Sequence, residues 1–150
     1  MQANKFTTTW INLRESYDML SRSDLLQNLY KNNKMNLKKV IDLGGGNGSF
    51  LRWCHYKNIT YDDFLIIDND EALLKSFYSR TKSYLSMMSL SLIKDNMMSY
   101  RIQNLKNNKD GFITLKKQDF YKSIDTINDY NLVSFSAVSD LLSKKFIKCL

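Results

Sequence analysis

Apolar and polar positions follow two periods along this chain, and the switches between them mark its elements. From Thr9 to Leu20 the apolar residues Trp10, Leu13, Tyr17 and Leu20 fall on one face of a helix, with Thr8 or Thr9 as its cap. A second helical stretch runs from Ser23 through Tyr30 and turns Leu25, Leu26, Leu29 and Tyr30 inward. The run Val40-Ile41-Asp42-Leu43 then reads as a buried strand. It breaks into Gly44-Gly45-Gly46-Asn47-Gly48 before an apolar helix opens at Ser49-Phe50. Residues 64–70, Phe-Leu-Ile-Ile-Asp-Asn-Asp, form the second strand. Asp70 stands before Glu71-Ala72-Leu73-Leu74 as the N-cap of a helix that buries Leu73, Leu74, Phe77 and Tyr78.

Tyr84 to Tyr100, rich in Met, Ser and Leu, reads as further helix, with Met87, Met88, Met97 and Met98 as core packing or cover over the sheet. The Asn/Lys stretch 104–109 is a loop, and the Asp110-Gly111 turn signal opens a third, alternating strand to Lys117. A fourth strand, Tyr130 to Ser136, gives way to a helix through Leu142. Strands separated by helices define an α/β fold.

Four of the five glycines lie in the loop after the first strand, where backbone can approach a ligand closely. A dinucleotide fingerprint, G-x-G-x-x-G, read from Gly44, places Ser49 where its third glycine belongs. The phosphate loop is excluded as well, since no Lys-Ser or Lys-Thr follows Gly48. What stands here is Asp-x-Gly-x-Gly-x-Gly, made by Asp42, Gly44, Gly46 and Gly48. Its acid is placed to receive an ammonium group rather than a pyrophosphate.

On these residues, over roughly positions 38–142, the chain resembles the class I, Rossmann-like S-adenosylmethionine-dependent methyltransferases. The resemblance implies that Asp42, Gly44, Gly45, Gly46 and Gly48 border the methionine half of S-adenosylmethionine. Asp68, which lies 24 residues after Gly44, would bind the ribose hydroxyls, with Asn69 beside it. Asp119 would accept from the adenine amino group, and Phe120 would lie against the ring. Ser134, Ser136 and Asp140 would face the methyl group or its acceptor, Ser136 within the cofactor site and Asp140 as base or acceptor-orienting group. An N-terminal helical segment would roof the cleft, where Arg14 or Arg22 suits the methionine carboxylate. The alternative for either arginine is a solvated helix charge paired with Glu15 or Asp18.

The resemblance also implies an open sheet of spatial order 3-2-1-4 with helices on both faces and the fourth strand at an open edge. The C-terminal strands of the full methyltransferase fold are missing from this reading. The chain is expected to divide, within one domain, into a helical segment, residues 1–36, and a core, residues 37–150, that this reading leaves short of the full fold. A homodimer or partner chain covering the open edge is one answer to that exposure.

Composition adjusts this picture little. With 43% hydrophobic content, 150 residues bury a single core. The longest strongly apolar run, Phe64 to Ile67, is far short of a membrane span, and Met1 to Lys5 lack the apolar core of a signal peptide. Cys54 and Cys149 have no metal or redox spacing, so the expectation is a reduced, cytoplasmic protein without a metal. The net charge of +7 invites an RNA reading. It is disfavoured because 17 lysines against 5 arginines, with 15 asparagines and 3 alanines, reflect a skew toward A/T-rich codons spread over the whole chain. The densest cluster, Lys31, Lys34, Lys38 and Lys39, is expected at a helix C-terminus. His55, the only histidine, is a poor candidate base. No Asn-Pro-Pro-Tyr or Pro-Cys segment is present, which disfavours amino-methylating and cytosine C5 DNA enzymes. The expected function is methyl transfer to a small molecule. The alternatives are a non-catalytic S-adenosylmethionine-binding remnant or partner subunit and, well behind, a dinucleotide-dependent oxidoreductase.

Overall fold

A computed structural model describes residues 7–22, 24–33, 37–104, 110–123 and 127–135. Two helices come first, α1 (Thr8–Ser21) and α2 (Leu25–Asn33), followed by β1 (Leu37–Leu43), α3 (Ser49–Tyr56), β2 (Tyr61–Asp68) and α4 (Glu71–Ser86). Then come β3 (Leu90–Lys94), β4 (Ser99–Asn104), β5 (Asp110–Lys117), a 3-10 turn (Phe120–Ser123) and β6 (Leu132–Ser134). The strands form one mixed sheet in the order β3-β4-β5-β2-β1-β6. β5, β2, β1 and β6 run parallel, while β3 and β4 join antiparallel beyond β5. Asp42 pairs with Ile66 on one side and Ser134 on the other, and Asp68 with Lys117. The carboxyl ends of the parallel strands are thereby brought level.

Two sequence expectations are corrected here. The four expected strands lie side by side as β5-β2-β1-β6, but the sheet is not confined to them: it continues beyond β5, because within Tyr84 to Tyr100, expected as helix, α4 ends at Ser86 and the β3–β4 hairpin, residues 90–104, begins. The physical reason is local. Leu90-Ser91-Leu92 alternates, and the Asp95-Asn96 turn is closed by Asn96 Oδ1 accepting from the Met98 amide at 2.9 Å and by Arg101 Nε on both Asp95 oxygens at 2.9 and 3.1 Å. Met87 and Met97 are exposed accordingly, and of the four methionines Met98 packs on the core.

The second correction concerns the N-terminal helices. Thr7, not Thr8 or Thr9, caps α1 by accepting from the Trp10 amide. Trp10, Leu13, Tyr17 and Leu20 face outward, as do Leu25 and Leu29 of α2. Met19, Leu26 and Tyr30 make the apolar contact with the body instead. Lys38 and Lys39 lie in β1, not at a helix end.

The main core lies on one face of the sheet. Val40, Phe64, Ile66, Ile113, Leu115, Tyr100 and Ile102 of the strands meet Phe50, Leu51 and Trp53 of α3 and Leu74, Phe77 and Leu85 of α4. Among the described residues all four helices pack on this face, rather than on both. The other face carries a smaller cluster, Ile41, Leu43, Ile67 and Ile127, with Phe120, Tyr130 and Val133 against it. The strands read as near-continuous apolar runs because the parallel part of the sheet is covered on both sides.

Candidate functional site

The glycine loop sits where β1 ends, folded back over the end of β2. Gly44 and Gly45 both donate to the Ile67 carbonyl, at 2.8 and 3.1 Å, Gly46 donates to Asp68 Oδ2 at 2.8 Å, and Gly48 to the Gly45 carbonyl at 2.9 Å. These four amides are spent within the protein, so they form no phosphate cradle. Gly48, at φ 86°, caps α3, and a Cβ there would stand 2.7 Å from the Phe77 ring. Glycine alone lets the loop settle onto α4 at that point. Gly46, at φ 54°, differs: a Cβ would meet only Leu73 at 3.6 Å and Asp68 Oδ2 at 3.9 Å. It is the open step of the loop.

Against the neighbouring Gly45, where a Cβ would stand 2.5 Å from its Oδ2, lies Asp42, buried at the end of β1. Its carboxyl is pushed up to about 7 by burial, against the pull of the Ser134 hydroxyl hydrogen-bonded to it and of the Arg22 charge. Arg22 closes α1 and reaches back to the loop, where Nη2 donates to Ser49 Oγ at 2.9 Å and the guanidinium stands 5.8 Å from the Phe50 ring centre. Burial lowers its pKa, and Asp42 is the foremost group opposing that shift. Nε and Nη1 of Arg22 are buried without a hydrogen-bond partner. Two buried donors left unsatisfied on a half-buried cation are costly unless something accepts from them. A buried acid whose proton is loosely held and a half-buried guanidinium with two unpartnered buried nitrogens can together receive a zwitterion, ammonium at Asp42 and carboxylate at Arg22. Arg14, the other guanidinium candidate, pairs with Asp18 at 2.9 Å on the helix surface, which is its alternative reading.

Asp68 ends β2 as expected, with both carboxylate oxygens engaged by backbone. Oδ2 accepts from Gly46 and Oδ1 from the Asp70 amide at 2.8 Å. Burial raises its pKa, opposed by those hydrogen bonds. Each oxygen keeps a second lone pair for an incoming hydroxyl. Asn69 is exposed beside it, and Asp70 caps α4 through the Ala72 amide. The Gln118 amide donates to the Asp68 carbonyl at 3.0 Å, which draws the segment after β5 alongside. There Asp119 is exposed and accepts from the Tyr121 amide, starting the 3-10 turn, and Phe120 packs on the smaller cluster. The structure thus gathers Asp42, Gly44 to Gly48, Asp68 and Ser134 at one end of the sheet, with Asp119 at its margin. Ser136 and Asp140 lie outside the described residues.

Sequence reasoning missed two residues. Ser49, noted only as a departure from the dinucleotide pattern, is the side chain that holds Arg22. Arg52 is 1% exposed and fully engaged: Nε on Glu15 of α1 at 2.5 Å, Nη1 on the Asn47 carbonyl at 2.7 Å and on Thr81 of α4 at 3.0 Å, Nη2 on Asn47 Oδ1 at 2.9 Å. It ties the glycine loop to α1 and α4 at once. The signal was an arginine inside the apolar run Phe50-Leu51-Arg52-Trp53-Cys54.

At the opposite end of the sheet, a cavity of about 280 Å³ is lined by His55, Tyr61, Met88, Ile102, Asp110 and Gly111 among others. His55 Nε2 and Tyr61 OH are 2.8 Å apart there, and burial lowers the imidazole to about 4. This His is a neutral structural partner, remote from the glycine loop. Cys54 is buried, and burial pushes its thiol up, so it is no nucleophile. Among the described residues no group of three or more His, Cys, Asp or Glu could hold a metal, and no helix is long and apolar enough to cross a membrane.

No protein-family model matches the chain, and no curated protein matches it significantly.

Proposed function

We propose that the glycine-loop end of the sheet binds S-adenosylmethionine and that the chain is a methyltransferase of the class I, Rossmann-like kind acting on a small molecule. The observation that carries this reading is buried Asp42 within electrostatic reach of half-buried Arg22, whose Nε and Nη1 are buried without a partner, beside the glycine loop and its open step at Gly46. An α-amino acid end fits that arrangement, and the internal use of the loop amides argues against a pyrophosphate. In this reading Arg22 holds the carboxylate, positioned by Ser49, and Asp42 takes the ammonium in its ionised form. Asp68 receives the ribose hydroxyls on its remaining lone pairs while it keeps Gly46 in place. Asp119 and Phe120 receive the adenine at the margin. When bound, the sulfonium cofactor supplies an already activated methyl group, so the protein need only align an acceptor and exclude water. Asp140 is the proposed residue for orienting that acceptor.

Calorimetric titration of the purified chain with S-adenosylmethionine and S-adenosylhomocysteine, with NADH as control, tests the site. Saturable binding of the first two and none of NADH is expected. A folded chain that binds none of them, or NADH alone, refutes the reading. Methyl transfer from labelled cofactor to small molecules of a cell extract tests the enzyme. Binding without transfer would instead match a non-catalytic S-adenosylmethionine-binding subunit.

A further inference from the structure

Among the described residues, the outward stripe of α1 is an apolar feature that the proposed site does not use. Trp10, Leu13, Tyr17 and Leu20 are 52, 66, 75 and 84% exposed. Their 3-4-3 spacing is that of the a and d positions of two heptads, the spacing that seats one helix on another. The orientation of α1 is not loose. Glu15, on the opposite side, is buried in its ion pair with Arg52, and Arg80 reaches the same carboxylate at 3.3 Å. That buried polar anchor fixes the apolar stripe toward solvent, where a patch of this kind marks an interaction surface.

We propose that the stripe is a self-association surface, on which α1 of one copy packs antiparallel against α1 of a second copy. Three observations favour a second copy as occupant. The positions flanking the seam are Thr9, Arg14, Ser16 and Ser21, and the only charge among them, Arg14, is neutralised within its own helix by Asp18 at 2.9 Å. No like charges therefore meet when the stripe faces itself. Antiparallel packing sets Trp10 against Leu20 of the second copy and Leu13 against its Tyr17, so that each ring meets a smaller side chain. The stripe offers on the order of 600 Å² per copy, approaching the roughly 800 Å² of a standard interface. Leu25 and Leu29 on α2 expose further apolar area. This association is separate from the pairing of sheet edges.

Sedimentation velocity on the whole chain over a concentration series tests the proposal, with Tyr17→Glu/Leu20→Glu as the variant. Both positions are exposed and helix-compatible, and unchanged far-UV circular dichroism and melting temperature verify the fold. The wild type is expected to dimerise with a dissociation constant on the order of 10 μM, and the variant to remain monomeric at tenfold higher concentration. A wild type that stays monomeric at about 200 μM overturns the proposal. So does a dimer that survives the double substitution, which would put the contact elsewhere, such as the edge of β6. In a Cys149→Ser background, Trp10→Cys/Leu20→Cys should oxidise to a linked dimer while Trp10→Cys alone should not. Linkage by Trp10→Cys alone would reverse the proposed direction.

Discussion

Two titrating groups give this protein opposed pH responses that single substitutions can separate. Asp42 ionises near 7 in the fold against an ordinary 3.8, so the folded state holds a proton that the unfolded chain releases. Its contribution to stability is present below about pH 4 and is lost as pH rises through 7. His55, lowered by burial from 6.5 to about 4, acts the other way: its contribution is present above 6.5 and is lost as pH falls through 4. Asp42→Asn removes the first slope. In urea unfolding from pH 4 to 8, the variant's stability should climb relative to wild type by up to about 1.4 kcal/mol per pH unit, levelling off above 7. A difference that stays flat would mean that Asp42 is ionised throughout. Arg22 makes the companion case. Arg22→Gln should weaken S-adenosylmethionine binding about tenfold to a hundredfold, the worth of charge-assisted hydrogen bonds to a carboxylate. Stability should fall little, because two of the guanidinium's buried nitrogens have no partner to lose. Unaltered affinity by calorimetry would remove Arg22 from the site.

Between elements, the join that decides the site is the one Arg52 makes. It binds α1 through Glu15, the glycine loop through Asn47 and α4 through Thr81, all with buried groups. Arg52→Met leaves Glu15 buried without its main partner, and such broken pairs cost about 3–5 kcal/mol. Thermal unfolding should show that loss. Glu15→Gln/Arg52→Met should recover part of it, since the stranded charge is gone. No recovery would mean that Arg52 acts chiefly through Asn47. The elements most legible in the sequence were those whose signals are local: Asp70 as a cap, the Asp42-to-Gly48 loop, and the strand ending in Asp68. The β3–β4 hairpin was hidden because Met, Ser and Leu carry no decisive period, and its turn chemistry at Asp95-Asn96 was the cue that mattered. The orientation of α1 was hidden for a different reason. Amphipathic spacing shows that a helix has an apolar face, but a buried Glu15–Arg52 pair, invisible to hydropathy, decided which face turns inward.

Over the whole molecule, the two ends of the sheet are unequal in ways that bear on binding. The carboxyl ends of β1, β2, β5 and β6 carry the glycine loop, Asp68, Gln118 and Ser134, and open α/β sheets take their ligands at that end. The opposite end carries the cavity around His55, Tyr61 and Gly111, where the His and Tyr hydrogen-bond to each other and Oδ1 of Asp110 is buried without a hydrogen-bond partner. The first end has two unpartnered donors on the Arg22 guanidinium against one unpartnered acceptor on Asp110 at the other, which is why the larger binding energy is assigned there. Hydrogen exchange with and without S-adenosylmethionine can weigh the two ends in one experiment. At a hundredfold excess over the dissociation constant, a ligand that binds only the folded state contributes about 2.7 kcal/mol. Amides released by opening of the site should therefore exchange up to about a hundredfold more slowly. The slowing should concentrate at Gly44 to Gly48, Asp68 to Asp70 and around Arg22, and should leave Tyr61 and Gly111 unchanged wherever they open independently. Protection centred on Tyr61 and Gly111 would transfer the binding function to the cavity at the far end of the sheet and detach it from the glycine loop.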